Sequence, residues 1–341
     1  MQTATPRPES SDTGAASAAV GGSGSGFARS SMHLGLRTIG LPAGVLALIV
    51  IFAMQSSVFL TVANFQNVGL QAAALAMIAF GQCFVVLTAG FDLSVGATAS
   101  LVSVVAAMAM QDFGIVPGVL VGVAAGACVG LVNGLVVARM DVAPFVATLA
   151  MLSVATGLGL MLSDGTPVGG LPSDFTALAT QQVVGIPVPV VGAVVVFLAG
   201  LVTLHGTRVG RHIYAIGGNP DAARLSGIRV AAITTLTYVV CSAFSALGGL
   251  VLTARVGSGQ PTFAGDLALQ SITAVVIGGV SLAGGQGSIV GVAFGVLFVS
   301  ILANGLNLLG VSSYTQMLVL GVALVVVVVA DRRARARRSG R

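Results

Sequence analysis

The sequence contains no lysine; all 15 of its basic residues are arginines. The phosphate-cradling motif G-x-x-x-x-G-K-[ST] requires that lysine. The glycine-rich run Ile277-Gly278-Gly279-Val280-Ser281-Leu282-Ala283-Gly284-Gly285-Gln286-Gly287 therefore reads as a tight turn between closely packed helices. Charge of either sign is also scarce. Charged residues are 7% of the 341 and hydrophobic ones 56%, whereas a soluble domain carries about 25% charged residues. No soluble fold could hide this much apolar surface, so the chain is a polytopic helical membrane protein. Its apolar runs are continuous rather than alternating, which excludes a transmembrane barrel. The three cysteines, Cys83, Cys128 and Cys241, fall in apolar runs without metal-ligand spacing, and nothing suggests a disulfide.

Catalytic groupings are missing too. His33 lies in the N-terminal region, and His205 and His212 flank a polar loop. There is no H-E-x-x-H and no carboxylate pair at catalytic spacing. The chain reads as a non-enzyme that holds no metal and no cofactor of its own. The basic C-terminus follows an apolar run directly, so contact with the bilayer explains it better than nucleic acid does.

What is present is a series of spans. Residues 1–37 read as a disordered tail, 38–331 as the membrane domain and 332–341 as a basic tail. About ten spans fit, near 39–60, 67–89, 94–111, 115–138, 144–163, 187–206, 230–254, 267–283, 287–307 and 313–330. Those near 94 and 267 are short enough to be tilted or broken. With both termini cytoplasmic, every arginine except Arg255 lies inside, as the positive-inside rule requires. Ala89-Gly90-Phe91-Asp92-Leu93 is echoed by Ala264-Gly265-Asp266-Leu267. Val132-Asn133-Gly134-Leu135 is echoed by Ala303-Asn304-Gly305-Leu306. Both echoes are about five spans apart, so the fold class is an all-α polytopic membrane protein with a 5+5 inverted repeat. Gly118, Gly122, Gly126, Gly130 and Gly134 form a stripe for close helix packing. Asp92 and Ser94 stand where a helix cap would fall.

The polar island in this chain is Gly210 to Val230. Arg208, Arg211, Arg224 and Arg229 lie in or beside it, and Asn219-Pro220-Asp221 opens a short helix that Gly227 would close. Taken alone, it could be an ordinary cytoplasmic loop. Its wording, however, closely resembles the cytoplasmic coupling loop of bacterial ABC sugar-importer permeases of the ribose/xylose/galactoside type. Gly90-Phe91-Asp92-Leu93-Ser94-Val95-Gly96, the Pro144-to-Gly165 segment, the Ile277–Gly287 run and the stretch from Arg255 to Tyr314 resemble that family in order and spacing. The likeness runs from about residue 64 to 331 and departs at Ala268 and Gln270, where many relatives carry two acids.

The resemblance implies a permease subunit of the bacterial inner membrane, paired with itself or a sister permease. A separate ATPase subunit would bind ATP, and an extracytoplasmic binding protein would deliver a monosaccharide. Residues 207–229 would dock in the ATPase through Gly217, Gly218, Asn219, Asp221, Ala222, Arg224 and Gly227. Asn304 and Asn307 become candidates for the translocation path, and Arg255 for contact with the binding protein. Otherwise Arg255 is a lipid anchor or a local partner of Asp266. Permeases for branched amino acids or nucleosides remain open. An ion-coupled transporter would need carboxylates at mid-membrane, whereas Asp92, Asp112, Asp141, Asp164, Asp174 and Asp266 all map near span ends. A non-transporting scaffold is the third alternative.

Overall fold

The structure, a computed structural model, describes residues 25–339. It is built almost wholly of helices: α1 (Ser25–Gln55), α2 (Val62–Leu87), α3 (Val95–Phe113), α4 (Ile115–Arg139), α5 (Pro144–Leu162), the short α6 (Ser173–Ala177), α7 (Val188–Leu201), α8 (Arg208–Gly218), α9 (Pro220–Leu225), α10 (Val230–Val256), α11 (Leu267–Ile277), α12 (Ile289–Leu308) and α13 (Ser313–Ser339). A two-residue hairpin, Gln182–Val183 with Ile186–Pro187, precedes α7. The tail expected over residues 1–37 lies outside the described residues as far as 24; from Ser25 the backbone is helix. The helix of α13 likewise carries through the basic segment to Ser339.

Each expected span overlaps an apolar helix, the eighth only in part. Among the described residues, seven helices are long and apolar enough to cross a membrane. The apolar stretches Gly40–Gln55, Leu267–Ile277 and Ser313–Val326 are shorter. The core forms around α2, which is buried continuously from Ala72 to Leu87. Alanine and glycine over most of its length let α7, α10, α11 and α12 press close to it. The glycine stripe of α4 takes α3 at one end and α10 at the other. A Cβ at Gly126 would come within 2.7 Å of Ala246 Cβ, and one at Gly130 would overlap the Tyr238 carbonyl.

Helix pairings repeat with the offset read from the sequence. α3 packs on α4 and α5, as α11 packs on α12 and α13; α10 packs on α4, as α2 packs on α12.

The eighth span is broken. The sequence places it over 267–283, short enough to be tilted or broken, with 255–266 assigned outside and Asp266 near a span end. The chain turns at Gly257 (φ 77°) and runs beside α3 as irregular backbone, with bends at Pro261 and Thr262 and a turn over Phe263 to Asp266. Ser103 Oγ accepts from Gln260 N at 2.9 Å, and Ser100 Oγ accepts from Ala264 N at 3.2 Å. These hydroxyls satisfy backbone that has no helix to satisfy it, as irregular chain at membrane depth requires. Only then does α11 start, and Gly278 and Gly279 (φ 82°) end it after Ile277. At 1.5 Å per residue α11 is about 16 Å long, half a crossing. Asp266 thereby stands at the start of a half-length helix.

Candidate functional site

The polar island is mounted on the end of α7. A π-helical turn, Val202–Gly206, interrupts the helix there. Thr203 and Thr207 donate to carbonyls four residues back, both at 2.7 Å; such back-bonding bends helices. Thr207 then caps α8 by accepting from Gly210 N at 3.2 Å. Gly210 is required because a Cβ would overlap the Leu204 carbonyl.

α8 is strongly two-faced. Ile213, Ile216 and Gly217 are buried, while Arg208, Arg211 and Ala215 are exposed. The buried face rests on a platform made by two other loops. Gly285 N donates to the Leu87 carbonyl at 2.9 Å, joining the end of α2 to the turn between α11 and α12. Gly217 lies against both partners of that bond, where a Cβ would overlap the Leu87 oxygen and the Gly285 nitrogen. Gly284 and Gly285 have φ of 81° and 69°, and Ala89 at the platform edge has φ 61°, a region most side chains avoid. Tyr214 OH donates to the Gly287 carbonyl at 3.0 Å. Burial pushes its phenol up to about 12, so it stays protonated as a donor. All three loops are ones that the arginine distribution assigned to the cytoplasmic side. On the opposite side, Val168 and Gly259 exchange backbone hydrogen bonds at 2.8 Å, joining two loops assigned outside.

α9 projects from this platform. Asn219 Oδ1 accepts from Asp221 N and Ala222 N, both at 3.0 Å, with Pro220 at the first helical position. Gly227 (φ 82°) closes the helix, and Ile228 N donates back to the Ala223 carbonyl at 3.1 Å. Ala223 is buried and anchors the helix, and the opposite face is open. Gly218, Asn219, Asp221, Ala222, Arg224 and Gly227 are all exposed. Asp221 and Arg224 form a solvent-exposed pair at 3.4 Å. Gly217 alone among the sequence-derived docking residues faces inward, serving the chain's own packing. Gly218 has no atom within 4 Å of its Cβ direction. Sequence reasoning missed Leu225, which is 90% exposed on α9. A leucine kept out of the protein's own core on a short polar helix was the available signal.

The structure separates the other candidates. Asn304 is buried with its amide engaged by Asn64, and Asn307 is exposed at the end of α12. Arg255 is exposed in the last turn of α10. No ion pair joins it to Asp266 among the described residues, because the descending segment carries Asp266 away. Asp92 is fully buried, and its Oδ1 accepts from Ser94 N at 2.9 Å and from Ser94 Oγ at 2.6 Å. Asn133 Nδ2 donates to Ser94 Oγ at 2.9 Å, while Asp92 Oδ2 has no protein partner. Asp92 thus closes a turn ahead of α3, and Ser94 itself makes no side-chain cap bond to the helix. No cluster of three or more His, Cys, Asp or Glu suited to a metal occurs among the described residues.

Comparison with known proteins places this geometry. Residues 64–328 match the family described as branched-chain amino acid transport system / permease component. The ribose import permease protein RbsC of Bacillus subtilis is 44% identical over 301 residues, covering 87% of this chain and 94% of that protein. RbsC of Escherichia coli K12 is 42% identical over 300 residues, covering 85% and 92%. The L-arabinose transport system permease protein AraH of Escherichia coli K12 is 35% identical over 318 residues, covering 92% and 96%. No solved structure matches.

Proposed function

The chain belongs to this ABC transport permease family, and on that premise we propose that it passes a monosaccharide across the bacterial inner membrane. The sugar arrives on an extracytoplasmic binding protein, and a separate ATPase subunit drives the transfer. Both termini are cytoplasmic in this reading, and a second permease, a copy or a sister chain, completes the path. The relatives named for ribose and arabinose favour a sugar over the branched-chain amino acid in the family's description.

The observation that carries the coupling role is α9. It is a capped helix, fixed by Ala223 and by the platform under α8, that offers Leu225 and Arg224 to solvent, with Gly218 exposed at the adjoining end of α8. Leu225 is the apolar knob for a groove on the ATPase. The exposed Arg208, Arg211, Arg224 and Arg229 give the surface a positive field that suits an acidic rim. Leu225→Asp tests this directly. Membrane insertion should be unchanged, and co-purification of the ATPase subunit should fall by about tenfold or more, as for loss of a buried interface anchor. Undiminished capture would place docking elsewhere.

A further inference from the structure

The broken eighth span leaves polar side chains at a depth where lipid does not tolerate them. Thr262 and Asp266 are exposed and Gln270 is half-buried. Gln270 N donates to the Asp266 carbonyl at 3.1 Å, which sets the two side chains four residues apart on one helical face. Thr262 leads into the same face. None of the three side chains has a hydrogen-bond partner among the described residues. Gly265 beside them has no atom within 4 Å of its Cβ direction, so the space next to Asp266 is open.

Their depth follows from the neighbours. Gly96, in the first turn of α3, abuts the Ala264 carbonyl. From there α3 continues about 25 Å to its external end at Phe113, at 1.5 Å per residue. In the other direction α11 runs about 16 Å from Asp266 to its turn at Gly278. There a Cβ on Gly278 would lie 2.7 Å from Val292 Cα, near the start of α12. Asp266 therefore lies well inside a bilayer of about 40 Å including headgroups. An exposed carboxylate at that depth faces water or a polar partner rather than acyl chains. Interrupted spans in transporters are where solutes are held, because the unwound backbone lines a cavity.

We propose that Thr262, Asp266 and Gln270 line the solute path at mid-membrane and contact the hydroxyl groups of a neutral polyhydroxylated solute. The assignment of the solute class rests on the sugar-permease reading. The donor set suits that class. The carboxylate accepts from two hydroxyls, the amide donates and accepts, and the threonine hydroxyl does either.

The test uses the full permease assembled with its ATPase in membrane vesicles. Single cysteines replace Thr262, Asp266, Gln270 and, as a lipid-facing control, Val195 on α7, which is 60% exposed. Cys128, exposed on α4, is changed to alanine to clear the background. A charged, membrane-impermeant thiol reagent should modify positions 262, 266 and 270 at least about tenfold faster than 195, since thiolates react only where water reaches. Rates no faster than at 195 overturn the proposal, whether lipid or a second permease covers the stripe. Should one variant fail to insert, the other two carry the same comparison. Asp266→Asn and Gln270→Leu should each lower sugar import about tenfold, the loss expected when a polar contact to the solute is removed, with ATPase capture unchanged. Wild-type import by both variants also overturns it. Wild-type vesicles that import no sugar would instead contradict the sugar reading, while the labelling result would still decide whether the stripe faces water.

Discussion

Asn64 and Asn304 close a reciprocal amide pair, each Nδ2 donating to the other's Oδ1 at 3.0 Å across 240 residues of sequence. Asn64 also donates to the Phe59 carbonyl at 2.9 Å. The pair pins α2 in the first half of the chain to α12 in the second, and it is buried. Asn304→Ala should lower stability by about 1–2 kcal/mol, because it strands a buried amide. In a double-mutant cycle with Asn64→Ala the two effects should fall short of additive, since the second substitution removes a group already left unpaired. Thermal unfolding of the purified permease measures both. Fully additive losses would mean that the two amides do not act as a unit.

The adjacent glycines of the coupling segment should respond oppositely. Gly217→Ala places a methyl on the Leu87 carbonyl and the Gly285 amide, so α8 cannot seat. Stability and ATPase capture should fall together. Gly218→Trp meets open space and should leave the fold intact, yet block the ATPase by bulk. Comparing thermal stability with ATPase capture for the two variants separates the effects. Equal behaviour would contradict the placement of the platform.

Arg255 is exposed in the last turn of α10, the end that the proposed topology puts outside, and makes no ion pair with Asp266 among the described residues. Arginine's planar fork can hold a carboxylate with two hydrogen bonds, and rim charges act mainly on association rate. Arg255→Glu should slow capture of the loaded binding protein at low salt, with the difference shrinking as salt rises. Association with complexes in nanodiscs reports this, and equal rates at both salts would leave Arg255 as a lipid anchor.

The proposed sidedness rests on the arginine distribution. A reporter inserted near Ser173 should read external and one fused after Arg332 cytoplasmic. Both on the same side would contradict the five crossings that the ten-span topology puts between them.

Much of this architecture is legible in residue order. Runs of valine, leucine and alanine locate the helices because burial in lipid demands continuous apolar chain. Gly118 to Gly134 point to close packing because only a missing side chain permits it. Asn219-Pro220-Asp221 and Gly227 mark α9 through capping chemistry that is local. What depends on distant partners is not legible. Gly217 and Gly218 look alike until Leu87 and Gly285 are brought to one of them. Asn304 looks like a free amide until Asn64 meets it. The irregular chain from Gly257 to Asp266 reads as a surface loop, because nothing local shows that Ser100 and Ser103 on α3 will supply its hydrogen bonds.

The central claim is that this chain is the membrane path of an ATP-driven sugar importer. Its most direct test is uptake of radiolabelled ribose, arabinose and other monosaccharides into proteoliposomes containing the permease, its ATPase subunit and its loaded binding protein. One sugar should accumulate against its gradient only when ATP and the binding protein are both present. Accumulation that needs no ATP and collapses when the ion gradient is dissipated would contradict the account.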